Sequence, residues 1–203
     1  MVDEELIFKV KAKDKVAFRK LYDLYKEKIY FTAYSILKDK QLSEDALQEV
    51  FVKVYTRIND LKVAQRFEVW LYRITVNVAR DIYSKKKLLS YVSIEDDEGY
   101  TLEIADASED SIPENIVLNR ETSKELVNAI YQLPQHHRIP LILYYFNNMK
   151  IEDIAFVMEC SNGTIKSRLH HGKRALRKRL VDSEEQTNSI VMIEGRVNLN
   201  ENR

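Results

Sequence analysis

The stretch IEDIAFVMECSNGTIKSRLHHGKRALRKRL, Ile151 to Leu180, restricts the fold most tightly, because it reads as two short helices joined by a tight turn. Ile151, Ile154, Ala155 and Met158 recur at helical spacing and give the first helix one apolar face. Cys160, Ser161, Asn162 and Gly163 break the pattern, and Ile165, Leu169 and Leu176 resume it on a second helix. A small Ala155 opposite Ile165 suits a helix-turn-helix, in which the helices cross closely. The outer side of the second helix offers Lys166, Ser167, Arg168, His170, His171, Lys173 and Arg174, and no acidic residue falls between Cys160 and Leu180. Such a helix fits a DNA major groove, with its early residues at base edges and later ones near phosphates.

The formal net charge is zero, but the charges are segregated along the chain. Met1 to Lys87 carries nineteen Lys and Arg against thirteen Asp and Glu; Arg120 to Leu180 carries eleven against five. Between them, Leu88 to Asn119 holds nine acidic residues and no basic one. Two basic domains joined by an acidic strip suggest nucleic acid held at both ends. Four Gly, three Pro and helical periodicity almost throughout predict an all-α chain of two small helical domains. Cys160 is the single cysteine, which rules out an intramolecular disulfide and favours a reducing cytosol. No apolar run approaches the roughly 18 residues of a membrane span, and Met1 to Val10 is too charged for a signal peptide. A soluble, cytoplasmic protein is expected.

In the N-terminal half a helix opens at Asp14 or Lys15 and ends at Lys38 to Lys40, with Phe18, Leu21, Tyr22, Tyr25, Ile29, Ala33 and Ile36 on one side. Ser43 is the expected N-cap of the next helix, which runs to about Ile58 and turns Leu47, Val50, Phe51, Val54 and Ile58 inward. Its outer face carries Asp45, Gln48, Glu49 and Val52. A third helix, Phe67 to Lys87, buries Phe67, Trp70, Leu71, Ile74, Val78 and Ile82. A second stripe, Arg73, Asn77, Arg80 and Ser84, pairs phosphate-binding Arg with a base-reading Asn, and Tyr72 and Tyr83 flank it where they can stack on bases. Leu88 to Pro113 reads as a linker, and Glu114 to Gln132 as a helix. Gln135 to Phe146 reads as another helix, which Pro140 should bend or confine to its first turn. Residues after Leu180 lack amphipathic pattern and are read as a loose tail.

These segments, in this order, resemble the extracytoplasmic-function sigma factors of bacteria. LSEDALQEVFVKVY (Leu42 to Tyr55) is similar to the family's polymerase-binding helix. FEVWLYRITVNVARD (Phe67 to Asp81) is similar to the helix that melts and reads the downstream (−10) promoter element. LPQHHRIPLILYYFNNMKIEDIAFVMECSNGTIKSRL (Leu133 to Leu169) is similar to the fourth region, which binds the upstream (−35) element. The resemblance implies two domains: 1–87 as the second sigma region and 114–180 as the fourth, joined by the acidic linker 88–113 and followed by the tail 181–203. It implies docking on core RNA polymerase through Asp45, Gln48, Glu49 and Val52. Downstream contacts fall to the base-capturing loop Asn59, Asp60, Leu61, Lys62 and Val63, and to Tyr72, Arg73, Asn77 and Arg80. Upstream contacts fall to Thr164, Lys166, Ser167, Arg168, His170, His171 and Arg174. The linker matches a segment that threads towards the polymerase active centre, and Arg138 to Phe146 matches a part that meets the flap of the second-largest subunit. The partners implied are bacterial core RNA polymerase, promoter DNA and an anti-sigma factor, often membrane-anchored, in a stress response.

Glu159 departs from the family's usual turn Gly, and Gly172 stands where an Ala is typical. Inside a helix Gly172 costs about 1 kcal/mol relative to Ala. A stand-alone helix-turn-helix regulator would leave the Asp45, Gln48, Glu49 face and the Arg73, Asn77, Arg80 stripe without a role. A small helical enzyme finds no support: no nucleophile-base pairing, glycine-rich phosphate loop or metal-ligand spacing occurs, and His136, His137, His170 and His171 are adjacent pairs. The expectation is a protein with no catalytic residues, cofactor, metal or small-molecule substrate.

Overall fold

The computed structural model of the chain describes residues 3–92 and 120–181; at 87–92, 120–125 and 181 it describes the backbone only. Most of the expected linker 88–113 (from residue 93), the start of the expected helix 114–132 (114–119) and the tail beyond Val181 lie outside these residues. The described residues are helical and divide into an N-terminal and a C-terminal unit.

Aspartates start the first three helices. Asp3 caps α1 (Glu4–Lys11) by accepting from the Glu5 N–H, and Asp14 caps α2 (Lys15–Leu37) by accepting from Val16 and Ala17. Helix α3 (Lys40–Arg57) begins at Asp39, whose Oδ1 accepts from the Leu42 N–H at 3.0 Å. This corrects the expected Ser43 cap. Ser43 is fully buried inside the first turns, and its hydroxyl donates back to the Asp39 carbonyl at 2.5 Å. Partial burial opposes charge on Asp39, but Lys86 at 2.9 Å and the Leu42 N–H hold its carboxyl below the usual carboxylate range. Helix α2 stops at Lys38, whose left-handed backbone (φ 52°) returns its N–H to the Tyr34 carbonyl.

Helices α2, α3 and α4 (Phe67–Val92) pack against one another around Leu21, Ile29, Ile36, Ala46, Val50, Val54, Phe67 and Leu71. Because α4 packs on two neighbours, its buried arc is broader than one stripe. Val69, Tyr72, Thr75, Val76 and Ala79 are buried, whereas Trp70, Ile74 and Ile82 are only half-buried. Tyr25 donates to Glu68 Oε1 at 2.7 Å, which satisfies a hydroxyl carried into the core; burial and that carboxylate push the phenol far above its ordinary pKa. Helix α4 continues to Val92, so Leu88 to Val92 are helix and not linker.

In the C-terminal unit α8 (Asn162–Val181) packs against α5 (Arg120–Tyr131) and α6 (Gln135–Leu141). Pro140 lies near the end of α6, not in its first turn, and cannot donate to the carbonyl four residues back. The chain then widens into one π-helical turn, Ile142–Phe146, in which the Asn147 N–H reaches the Ile142 carbonyl at 3.1 Å. The expected single helix to Phe146 is thus an α-helix followed by a π turn. Arg138, expected on a partner-facing surface, is 4% exposed and donates from Nη1 to the Tyr131 and Leu133 carbonyls at 2.7 and 2.9 Å. It closes the C-terminal end of α5, where the helix dipole favours a cation.

Candidate nucleic-acid interface

On α3, Asp45, Gln48, Glu49 and Val52 are all exposed, and their spacing of three, one and three residues puts them on one face. Val52 is 61% exposed, an apolar side chain beside carboxylates. The Glu49–Lys53 pair at 2.8 Å is solvent-facing and adds little stability. Among the described residues these four side chains stay exposed to solvent.

On α4 the Arg73, Asn77, Arg80 and Ser84 stripe is outward: Asn77 and Ser84 are exposed, and both arginines are half-exposed. Tyr83 is 43% exposed. Tyr72 is not on this surface. It is 1% exposed, and burial raises its pKa, which corrects the expectation that it stacks on bases. The loop before α4 lies between two 3-10 turns, Ile58–Asp60 and Ala64–Arg66. Asn59, Asp60, Lys62 and Val63 are exposed, but Leu61 is 4% exposed and anchors the loop inward. Leu61 therefore cannot present its side chain to a nucleic acid in this conformation. Of the lysines after the stripe, Lys86 is tied to Asp39 and Lys85 is exposed.

The helix-turn-helix comprises α7 (Ile151–Met158) and α8. The turn is tighter than the sequence suggested, since Asn162 and Gly163 already belong to α8. Ser161 accepts from the Thr164 N–H at 3.1 Å, and the two hydroxyls lie 2.9 Å apart. Thr164 is thereby engaged in the start of the helix. Glu159 takes the left-handed conformation, φ 55° and ψ 48°. This position strains any side chain with a Cβ by about 1 kcal/mol or more. Glu159→Gly should therefore raise stability in urea titration by up to about 1 kcal/mol, the entropy of the freer unfolded glycine offsetting part of the gain.

Ile165, Leu176 and Leu180 are buried along the inner side of α8. Lys166, Ser167, His170, His171 and Arg174 are exposed on its outer side, a basic face able to meet phosphates and base edges. Arg168 is half-buried and turned back to the turn, with Nη1 3.9 Å from Cys160 Sγ. The four histidines gather where α6 meets α8, which the sequence did not reveal. Ring centroids are 4.2 Å apart for His136 and His137, 6.2 Å for His137 and His171, and 5.5 Å for His170 and His171. Burial, with His136 next in weight, holds His137 below the ordinary histidine pKa, although Nδ1 lies 3.2 Å from the Arg168 carbonyl. Among the described residues no group of three or more potential metal ligands has the geometry to hold an ion.

Sequence reading also missed α1, which brings Lys11 to the Leu61 carbonyl. The Asp3 cap followed by Glu4, Glu5, Leu6, Ile7 and Val10 was the available signal for the helix, but nothing local marks a contact fifty residues away.

The chain matches the Sigma-70 region 2 family over residues 21–88 and the Sigma-70 region 4 family over residues 123–176. It is 34% identical over 184 residues to the ECF RNA polymerase sigma factor SigW of Bacillus subtilis (strain 168), spanning 90% of this chain and 98% of that protein. It is 33% identical over 181 residues to the RNA polymerase sigma-H factor of Pseudomonas aeruginosa, spanning 88% and 93%. Two solved structures share its fold. CnrH, solved in complex with the cytosolic domain of CnrY, aligns with a TM-score of 0.60 at 19% identity, covering 89% of this chain and 98% of that one. The sigma factor RpoE of Bartonella quintana, solved with the anti-sigma factor NepR, aligns with a TM-score of 0.61 at 21% identity, covering 82% and 98%. With both sigma regions matched in order and relatives aligned over nearly their whole length, the chain belongs to the extracytoplasmic-function sigma factors of RNA polymerase.

Proposed function

We propose that this sigma factor directs bacterial core RNA polymerase to a defined set of promoters and helps open their downstream element. Members of the family are transcription initiation factors; the chemistry of RNA synthesis belongs to the polymerase. In this reading 1–87 is the polymerase-binding and downstream-reading domain, 114–180 the upstream-binding domain, 88–113 their acidic connection, and 181–203 a tail with a regulatory role. The observation that carries it is that the N-terminal unit exposes two chemically distinct faces on different helices. Asp45, Gln48, Glu49 and Val52 on α3 suit a basic protein partner, and Arg73, Asn77 and Arg80 on α4 suit nucleic acid. One unit can then hold polymerase and read DNA at once. The exposed loop residues Asn59, Asp60, Lys62 and Val63 would hold a base flipped from the non-template strand, an unstacking that costs a few kcal/mol. Lys166, Ser167, His170, His171 and Arg174 on α8 would meet the upstream duplex.

The solved complex of a sigma factor of similar fold with an anti-sigma factor supports control by such a partner, which covers these faces until a stress signal arrives. Among the described residues no helix is long and apolar enough to cross a membrane. Action in the cytoplasm, with sequestration at the inner membrane face through a membrane-anchored partner, fits this picture.

The test is run-off transcription with purified core polymerase, with and without the protein, on fragments of its own genome. Discrete start sites that require the protein are the expected result; polymerase that neither binds it nor gains specificity would overturn the reading. On such a promoter Asn77→Ala should lower permanganate-detected opening about tenfold, within the 1–3 kcal/mol that a base-reading amide is worth. Polymerase binding should be unchanged, because Asn77 and the acidic α3 face lie on different helices.

A further inference from the structure

We infer that α1 sets the geometry of the Asn59–Val63 loop, and that Lys11 is the positioning residue through which it does so; this rests on the base-capturing role proposed for that loop. Helix α1 lies before the residues that match Sigma-70 region 2. It nevertheless packs on both 3-10 turns, the first holding Asn59 and Asp60 of the loop and the second following it. Its Leu6, Ile7 and Val10 are buried, as are Ile58 and Leu61 on the loop side. Polar ties add direction to this packing. Lys11 Nζ donates to the Leu61 carbonyl at 2.5 Å in a part-buried position, and Gln65 Nε2 donates to Glu4 Oε1 at 2.5 Å. Just beyond α1, Lys13 donates to the Tyr55 carbonyl, and its ammonium sits 4.2 Å from the centre of the Tyr55 ring.

Past Asp60 the loop supplies little backbone order. Leu61 N–H reaches the Ile58 carbonyl at 3.2 Å and closes the 3-10 turn that holds Asn59 and Asp60. Arg66 N–H reaches the Val63 carbonyl at 3.0 Å in the turn that follows the loop. The Leu61 carbonyl sits midway along the segment, and the ammonium of Lys11 fixes its direction. With that carbonyl and the buried Leu61 side chain held on the inner side, Asn59, Asp60, Lys62 and Val63 project outward. A pocket for a flipped base needs this order before the base arrives, because ordering a loose loop on binding subtracts from affinity. Lys11 touches no nucleic acid in this scheme. It acts through the backbone of Leu61.

The test uses holoenzyme reconstituted from core polymerase and the full chain. The probe is a single-stranded oligonucleotide carrying the non-template downstream element of a promoter mapped by run-off transcription, with a scrambled oligonucleotide beside it. Lys11→Met should weaken binding of the matched strand about fivefold, as loss of loop order predicts, and leave the scrambled strand and polymerase binding unchanged. Lys11→Arg, which can still donate to the carbonyl, should restore most of the loss; a merely structural role would not discriminate matched from scrambled strands. Matched binding at the parent level in Lys11→Met, or an equal loss on both strands, overturns the inference. Val63→Asp, placed on the exposed loop surface, separates the two levels. If it weakens matched binding while Lys11→Met does not, the loop captures the base without help from α1. If it has no effect, the base-capture reading fails and the inference with it. Should Lys11→Met fail to fold, Gln65→Glu sets a like charge against Glu4, and unchanged matched binding in that variant is the overturning result.

Discussion

Arg138→Ala should destabilise the C-terminal unit by about 3 kcal/mol, because it removes a buried cation and leaves its acceptors without it. Arg138 is 4% exposed, and its guanidinium bridges the Tyr131 and Leu133 carbonyls from one nitrogen. These carbonyls lie at the end of α5 and just beyond it, where the hydrogen-bond ladder of α5 has run out. Truncation therefore costs two charge-assisted hydrogen bonds and also leaves a void where a buried side chain stood. Arg138→Lys should recover only part, since a single ammonium lacks the planar fork. Urea denaturation of the full chain followed by circular dichroism measures the loss. The one tryptophan, Trp70, lies in α4, so its fluorescence reports the N-terminal unit and should keep its parent midpoint. An early transition in circular dichroism beside an unmoved Trp70 transition is the expected pattern. Coincident, unshifted transitions would show that other groups hold the α5 end.

Much of this architecture was legible in the sequence because its long helices are strongly periodic. Leu21, Ile29 and Ile36 marked α2, and Ile154, Ile165 and Leu176 marked the helix-turn-helix, and all are buried where the pattern put them. The failures have separate physical causes. Asp39 and Ser43 are both good capping residues four positions apart, and only tertiary packing decides that Ser43 goes inside and bonds back to Asp39. Tyr72 has an amphipathic side chain that suits either surface or core. A two-sided packing of α4 claims it for the core, which a single-stripe reading of the helix could not see. Leu61 stands in a loop without periodicity, so its burial depends on α1, a helix of eight residues too short to be conspicuous. Arg138 looked like surface charge because its acceptors are backbone carbonyls, which carry no mark in a sequence. The outward placement of Asp45, Gln48, Glu49 and Val52 on α3, and of Lys166, Ser167, His170, His171 and Arg174 on α8, was legible from helical spacing. The gathering of four histidines required the α6–α8 packing itself.

That packing also explains Gly172, and Gly172→Val should destabilise the C-terminal unit by about 2–3 kcal/mol through overpacking. Judged by helix propensity alone, glycine here is a defect that alanine would repair by about 1 kcal/mol. Gly172 is buried, however, and a Cβ on it would stand 3.0 Å from Leu141 Cδ1 and 3.3 Å from both Leu141 Cγ and His137 Cβ. At this residue α8 lies close against α6, and the missing side chain is what permits it. Gly172→Ala should be nearly neutral, its propensity gain set against displacement of the flexible end of Leu141 and a tight contact with His137 Cβ, which the α6 backbone holds in place. Valine adds two γ-carbons that cannot be accommodated by Leu141 alone, so α8 must move away from α6. The outer face of α8 carries Lys166, Ser167, His170, His171 and Arg174, and a shift of that helix misplaces all of them together. Upstream duplex binding should accordingly fall at least about tenfold in Gly172→Val, since a misregistered recognition helix loses several contacts at once. The Trp70 transition should remain as in the parent. His137 supplies a second readout. Its depressed pKa depends first on burial at this interface, so the folded unit holds fewer protons there than the unfolded chain, and the unit loses stability as pH falls below the ordinary histidine value of 6.5. Parting α6 from α8 in Gly172→Val should move the His137 titration midpoint, read by NMR, upward towards that value and flatten this acid sensitivity. A variant that melts, binds and titrates like the parent would mean that the two helices are not held together at Gly172.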